Sequence, residues 1–345
     1  MTKRSRLTYT LAVIAAAILS FPIFELRIGG ARKNGTRGPT LSPVYQTARS
    51  DWTVIAYGDT RFTDPDNVVA GSAKARRWLV QKIAAENPDV ILLSGDLPYR
   101  GSDANDYVVF REETKPWRDR QIHFYPALGN HELIGGEQLG LVNWWKAFPE
   151  LNGRRWYSVA YGNAYFIALN TMAPLVDGSE QRAWFDQQIA NLPTAIQFVF
   201  VVQHHPPFAD LPMDAEHTPR ANEIDFARHL EQQAASLPVR FIVICGHIHN
   251  YERFREHGID FLVSGGGGAH PHPVSRGPED LYQDSGFPNY HYVKFTFDGT
   301  ILRASMIRLG DGEGDSPSWE SKDSFNVLPA NLPTVAHTTT PQSKH

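Results

Sequence analysis

The chain reads as an α/β fold. From Asp51 onward, short apolar runs recur and each closes on a polar or glycine cluster, while the segments between them space their apolar residues as amphipathic helices do. A length of 345 residues with 42% hydrophobic content is enough to bury a sizeable core in one large domain. The strand candidates, in order, are Thr53 to Tyr57, Val90 to Ser94, Ile122 to Leu128, Tyr165 to Leu169, Phe198 to Val202, Phe241 to Cys245 and Phe261 to Ser264. Between them, Leu79 and Ile83 stand four apart, Phe185, Ile189 and Leu192 four and three apart, and Ile224, Ala227 and Leu230 keep a three-residue step. Tyr292 to Phe297 and Ile301 to Ile307 flank Asp298-Gly299, a dipeptide suited to a tight hairpin.

The ends read differently. Lys3, Arg4 and Arg6 precede an apolar run from Leu11 to Phe24, the layout of an export signal, too short for a confident membrane span. No clear small-x-small cleavage site follows, Arg27 to Ala31 offering only a poor candidate, so residues 1–28 are expected to be an export signal or an uncleaved signal anchor. The protein would accordingly be exported, periplasmic or secreted, and membrane-anchored if the signal stays. Residues 29–50 read as linker. Residues 309–345 are rich in Gly, Ser, Pro and Thr without apolar periodicity and are expected to be a disordered tail.

Composition narrows the chemistry. With 33 basic and 37 acidic side chains and a formal charge of −4, the chain has no nucleic-acid footprint. One cysteine, Cys245, beside fourteen histidines excludes disulfide frameworks and thiolate-rich zinc sites, leaving nitrogen and oxygen ligands for any metal. Cys245 itself lies in an apolar run and reads as a core residue.

Five polar clusters fall directly after strand candidates: Gly58-Asp59, Gly95-Asp96-Leu97-Pro98-Tyr99, Gly129-Asn130-His131-Glu132, His204-His205-Pro206 and Gly246-His247-Ile248-His249. In open α/β sheets the carboxyl ends of strands converge on one edge, where loops aim side chains at a common point. The donors exceed what one four-coordinate ion needs, so two ions account for them better. A carboxylate can bridge two cations, and a hydroxide held between them can attack phosphorus in line.

These blocks, in this order, resemble the calcineurin-like metallophosphoesterases, and His247-Ile248-His249-Asn250-Tyr251-Glu252-Arg253 resembles the purple acid phosphatase branch. The match spans residues 51–308. The resemblance implies an αββα four-layer sandwich, two central mixed β-sheets flanked by helices, with the metals at one sheet edge. It implies that Asp59, Tyr99 and His249 bind one metal, that Asn130, His204 and His247 bind the other, and that Asp96 bridges them. His131 would then contact substrate, donating to it or to the leaving group.

One departure stands out. Many members carry histidine two residues after the first aspartate and the purple enzymes carry glycine, whereas this chain has Arg61. Tyr99 lies where the purple enzymes place a metal-binding phenolate. If it ligates, the resemblance implies iron(III) with a divalent partner (iron, zinc or manganese); otherwise it implies a manganese or zinc pair. Arg61 either forks onto a phosphate oxygen or forms an ion pair among the ligands.

His204 and His205 are adjacent, and alternation along an extended strand end lets only one face inward; spacing to Pro206 favours His204. His205 is then a substrate contact or solvent-facing. His217 is a candidate general acid by analogy alone. His123, His257, His270, His272 and His291 lie outside the blocks and read as surface or loop residues. Gly265 to Gly268 lack the Lys-Ser or Lys-Thr of a nucleotide P-loop and are read as letting the backbone pass close beneath the site. Trp144 and Trp145 read as core.

The expected activity is hydrolysis of a small phosphate ester, a monoester by the purple-branch likeness. A phosphodiesterase acting on cyclic nucleotides or lipid headgroups is the close alternative, with residues 170–180 and 206–222 expected to decide. A non-catalytic metal- or phosphate-binding protein and a structural zinc protein are the rivals from other classes.

Overall fold

The computed structural model describes residues 51–210, 217–310 and 314–330. The expected signal, the linker, the end of the tail and residues 211–216 of the second specificity loop lie outside these. No helix among the described residues is long and apolar enough to cross a membrane.

Two six-stranded mixed sheets form the centre. The first contains β1 (Trp52–Tyr57), β2 (Val90–Leu93), β3 (His123–Pro126), β10 (His291–Phe297), β11 (Leu302–Leu309) and β12 (Trp319–Val327). The second contains β4 (Tyr157–Tyr161), β5 (Ala164–Ala168), β6 (Phe198–Val202), β7 (Arg240–Cys245), β8 (Tyr251–Glu256) and β9 (Ile259–Ser264). Their orders are β12-β11-β10-β1-β2-β3 and β4-β5-β6-β7-β9-β8. In the first, β1, β2 and β3 run parallel; in the second, β5, β6, β7 and β9 do. The helices are α1 (Ala73–Glu86), α2 (Ala104–Glu113), α3 (Lys115–Asp119), α4 (Glu137–Ala147), α5 (Glu180–Ala190) and α6 (Ala221–Ser236).

The layering follows from side-chain alternation. In β6, Phe198, Phe200 and Val202 point into the core between the sheets, while Val199 and Val201 point outward onto Phe185 and Ile189 of α5 and Phe226 and Leu230 of α6. Both faces of the strand are covered, so its residues read as one continuous apolar run. Aromatic edges lock the sheets face to face: Phe200 meets Phe295 at 5.2 Å between centroids, and Phe198 meets Phe297 at 5.6 Å. On the other side, Leu79 and Ile83 of α1, Phe110 of α2, Trp117 of α3 and Trp144 of α4 join the core that the first sheet builds. The result is the expected αββα sandwich.

The expectation that nothing packed follows Leu309 is corrected over Trp319–Val327. This strand pairs antiparallel with β11 from Leu302↔Val327 to Leu309↔Trp319. Its Asp323 accepts hydrogen bonds from Tyr251 Oη at 2.9 Å and Arg253 Nε at 2.7 Å. An edge strand of one sheet is thereby tied to an edge strand of the other. No sequence pattern marks it, because WESKDSFNV is an exposed, largely polar edge without apolar alternation. β4 and β8 were also missed, and both are edge strands.

Candidate metal centre

The five loops do converge, three from the first sheet (after β1, β2 and β3) and two from the second (after β6 and β7). The junctions are tight. Asp59 N donates to the Gly95 carbonyl at 3.0 Å, and Arg61 N to the Asp96 carbonyl at 3.1 Å, so the first two loops are stitched together. A Cβ on Gly129 would come within 2.3 Å of Asp96 Oδ1, and one on Gly246 within 2.3 Å of Asp59 Oδ2. Glycine is required there because backbone runs directly behind the carboxylates. Gly265 plays the part expected of it, its would-be Cβ lying 2.2 Å from the Ile248 carbonyl and 3.0 Å from Asp59 Oδ2.

Four residues of these loops, Asp59, Arg61, Asp96 and His247, adopt left-handed backbone with φ of 55°, 49°, 55° and 72°. For residues with a Cβ this costs about 1–3 kcal/mol each, and such strain gathers where geometry serves a site.

Asp96 is fully buried, and its two oxygens face different neighbours. Oδ1 accepts the backbone N–H of His131 at 2.8 Å and lies 3.3 Å from His204 Nε2. Oδ2 lies 3.0 Å from Arg61 Nη2. Asp59, equally buried, accepts the backbone N–H of His247 at 3.0 Å and stands 3.6 Å from His249 Nε2. Burial and the charge of Asp96 push Asp59 well above the usual carboxylate range. Burial also opposes ionisation of Asp96, but His204, Arg61 and His131 outweigh it and hold its carboxyl low.

The histidines show which nitrogen is offered. His204 Nδ1 lies 2.9 Å from the Ser94 carbonyl, which can only accept, so Nδ1 carries the proton. Burial lowers the pKa of the ring, and in its neutral form Nε2 is a lone pair. That lone pair faces two further acceptors, Asn130 Oδ1 at 2.9 Å and Asp96 Oδ1 at 3.3 Å. Three buried acceptors pointed at one another repel unless a cation lies among them, so the donor set fits a metal. His249 is arranged the same way, with Nδ1–H donating to the His270 carbonyl at 2.6 Å and Nε2 turned toward Asp59 and Arg61. Asp59, Asp96 and His204 offer ligand atoms within 4.8 Å of one another, as do His204, His205 and His247.

His131 is buried, its Nδ1–H donating to the Tyr99 carbonyl at 2.5 Å, and burial lowers its pKa against the pull of Asp96. Tyr99 stands beside it, ring centroids 5.7 Å apart. Among the described residues its phenol makes no hydrogen bond to Asp59, Asp96 or His249. His217 is brought to the centre, 5.1 Å from the His247 ring and 4.6 Å from that of His272. Arg61 Nη2 stands 3.0 Å from Asp96 Oδ2, the contact that its ion-pair reading expects.

Three histidine readings are corrected. His205 does not face solvent: it is buried, hydrogen-bonded through Nδ1 to Thr171 Oγ1 at 2.8 Å, its ring 4.3 Å from that of His247. Strand alternation does not apply, because β6 ends at Val202. His272 belongs to the centre: it stacks on His249 at 4.0 Å, and its backbone N–H donates to the His249 carbonyl at 3.0 Å. It lies 23 residues beyond His249 in an irregular segment, where no local motif marks it. His291 is buried in β10 against Ser264 Oγ at 3.0 Å and is structural.

Glu132 has a role that its place in the third loop does not show. Glu132 is fully buried and accepts backbone N–H groups from Asp96 at 3.0 Å, Leu97 at 2.8 Å and Gly129 at 2.7 Å. Burial and the nearby Asp96 push its carboxyl up to about 8.

The family model of calcineurin-like phosphoesterases matches residues 52–251. Uncharacterized proteins from two Mycobacterium tuberculosis strains are 26% identical over 253 residues, which cover 61% of this chain and 43% of theirs, so the chain spans less than half their length. Among solved structures, the purple acid phosphatase PPD1 of yellow lupin superposes with a TM-score of 0.64 at 21% identity, covering 81% of this chain and 54% of that one. A dimetal phosphatase from Danio rerio superposes at 0.53 with 12% identity, over 81% and 99% of the chains. GAP50, the anchor in the inner membrane complex of Plasmodium, superposes at 0.54 with 13% identity, over 81% and 89%.

Proposed function

The chain belongs to the calcineurin-like phosphoesterase family, and from that premise we propose that it hydrolyses phosphate esters, monoesters in preference to diesters, at a two-metal centre. The observation that carries this reading is the division of Asp96, one oxygen turned toward His204 and the other toward Arg61 beside His249. A carboxylate placed in this way suits a bridge between two half-sites. Asn130, His204 and His247 would hold one ion, and Asp59 and His249, with Tyr99 as the further donor, would hold the other. When bound, such ions polarise a phosphoryl oxygen and acidify water.

The chain's own groups do the rest. Ser94 and His270 fix the tautomers of His204 and His249 by accepting their Nδ1–H bonds, so that both rings present Nε2. His131, whose Nδ1–H is committed to Tyr99, can hand a proton to a leaving group only from Nε2 of the doubly protonated ring. Since burial lowers its pKa, that role belongs to the acid side of the pH range. His217 is the second candidate for this proton.

The metals follow from Tyr99: iron(III) with a divalent iron, zinc or manganese if its phenolate ligates, a manganese or zinc pair otherwise. The proposed site of action is outside the cytoplasm, periplasmic or secreted, or membrane-anchored if the signal is not cleaved, on the strength of the basic and apolar start of the chain. Hydrolysis of an aryl phosphate monoester and of the matching diester, with each metal supplied, tests the reading. Faster monoester turnover supports it, and faster diester turnover assigns a phosphodiesterase. Folded, metal-loaded protein that cleaves neither would favour a binding role, as the fold shared with the anchor GAP50 allows.

A further inference from the structure

Arg61 stands where the family's histidine or glycine is expected, and its guanidinium lies inside the centre rather than at its rim. Nη2 is 3.0 Å from Asp96 Oδ2 and 3.2 Å from His249 Nε2. Those are two of the atoms that the Asp59/His249 half would offer an ion, and His249 can offer no other nitrogen because Nδ1–H is committed to the His270 carbonyl. The position is built. Arg61 has left-handed backbone, its N–H donates to the Asp96 carbonyl, and its own carbonyl accepts from Arg76 Nη1 at 3.0 Å. Arg76 is itself buried and held by both oxygens of Glu113, at 2.8 and 3.0 Å. The Arg61 side chain is only 13% exposed, and its Nε is buried with no hydrogen-bond partner.

The other half is unlike this one. His204 Nε2, Asn130 Oδ1 and Asp96 Oδ1 face one another without an intervening guanidinium nitrogen. We propose that Arg61 is a resident cation of the Asp59/His249 half: it competes with the metal there, so that the Asn130/His204/His247 half loads first and the second ion binds only as the guanidinium turns away. One set of lone pairs cannot serve two cations at once, and like charges at this separation repel strongly in a buried site. The unpartnered Nε fits a side chain with somewhere else to go. A guanidinium turned outward would offer Nε and Nη as a fork to a phosphate oxygen, which joins the two readings of Arg61 into a single exchange.

This inference rests on the metal-centre reading, and metal titration separates their failures. Metal-free protein is titrated with Mn²⁺ by calorimetry, and bound metal is counted after equilibrium dialysis, for wild type, Arg61→Gly and Arg61→Lys, with circular dichroism confirming the fold. Wild type should bind two equivalents in clearly unequal steps. Arg61→Gly, which also relieves the left-handed backbone, should tighten the second step by about tenfold or more and leave the first within about threefold. Arg61→Lys should keep the inequality, because the charge remains. Equal steps in wild type, or an unchanged second step in Arg61→Gly, would overturn the proposal while leaving the metal centre standing. Folded wild type that binds no Mn²⁺ would overturn both.

Discussion

The carboxylate of Glu132 accepts the backbone N–H of Asp96 at 3.0 Å and so fixes the loop that carries the proposed bridging ligand. The same group holds Leu97 and Gly129, joining the loop after β2 to the one after β3. In Glu132→Gln an amide NH₂ would face one of these N–H donors. The expected cost is about 1–3 kcal/mol of stability per unsatisfied buried group, together with weakened metal binding. Chemical denaturation and metal titration of the variant check both; an unchanged midpoint and unchanged metal affinity would remove Glu132 from this role.

Asp323 anchors β12 across the two sheets through Tyr251 and Arg253. Asp323→Ala strands a largely buried guanidinium, and the loss is expected to be about 2–4 kcal/mol, toward the lower end because both partners keep slight exposure. Thermal unfolding measures it. A shift within the scatter of surface substitutions would mean that β12 contributes little to the sandwich.

Glu252 supplies a pH test away from the proposed ligands. Burial, first, and then Asp280 and Asp210 push its carboxyl up to about 8, against the backbone N–H of Asp210 and the charge of Arg276. The unfolded chain loses this proton near the ordinary value of about 4.5, so between about 4.5 and 8 the folded state binds the extra proton. Its contribution to stability therefore falls as pH rises through that window. Glu252→Gln escapes the penalty, and its melting temperature should exceed wild type at pH 8 by an amount equivalent to a few kcal/mol at most, on the order of the shift, converging with wild type at pH 4.5. A variant less stable than wild type at pH 8 would show the carboxylate to be wanted in its ionised form.

His131→Asn should lower kcat for a monoester by about 10²–10⁴-fold while leaving metal content unchanged, as the proposed role of exchanging protons without ligating requires. Loss of metal in this variant would make His131 a ligand and reassign the proton to His217.

Much of the centre was legible because the proposed ligands sit at the ends of buried parallel strands, where continuous apolar runs such as Phe198–Val202 stop abruptly at polar residues. The sandwich itself was read through the resemblance, not from periodicity. What escaped lies where local pattern is weak. β12 is a polar edge whose partner is set by register with β11, and His272 reaches His249 through tertiary folding of an irregular segment. His205 is buried beside His204 because the alternation of a strand stops at Val202, where β6 ends, so the pair need not point to opposite sides. Arg61 was visible as a departure, but only its distances to Asp96 and His249 show what it departs toward.

The most direct test of the two-metal hydrolase is metal content measured beside aryl phosphate hydrolysis in wild type and Asp96→Asn. The near-isosteric amide keeps an oxygen for the His131 N–H but removes the charge that two cations would share. The account predicts metal-dependent hydrolysis in wild type, and in the folded variant a loss of at least one metal equivalent with activity down by about 10³-fold or more. A folded Asp96→Asn that keeps its metal and its hydrolysis would contradict it.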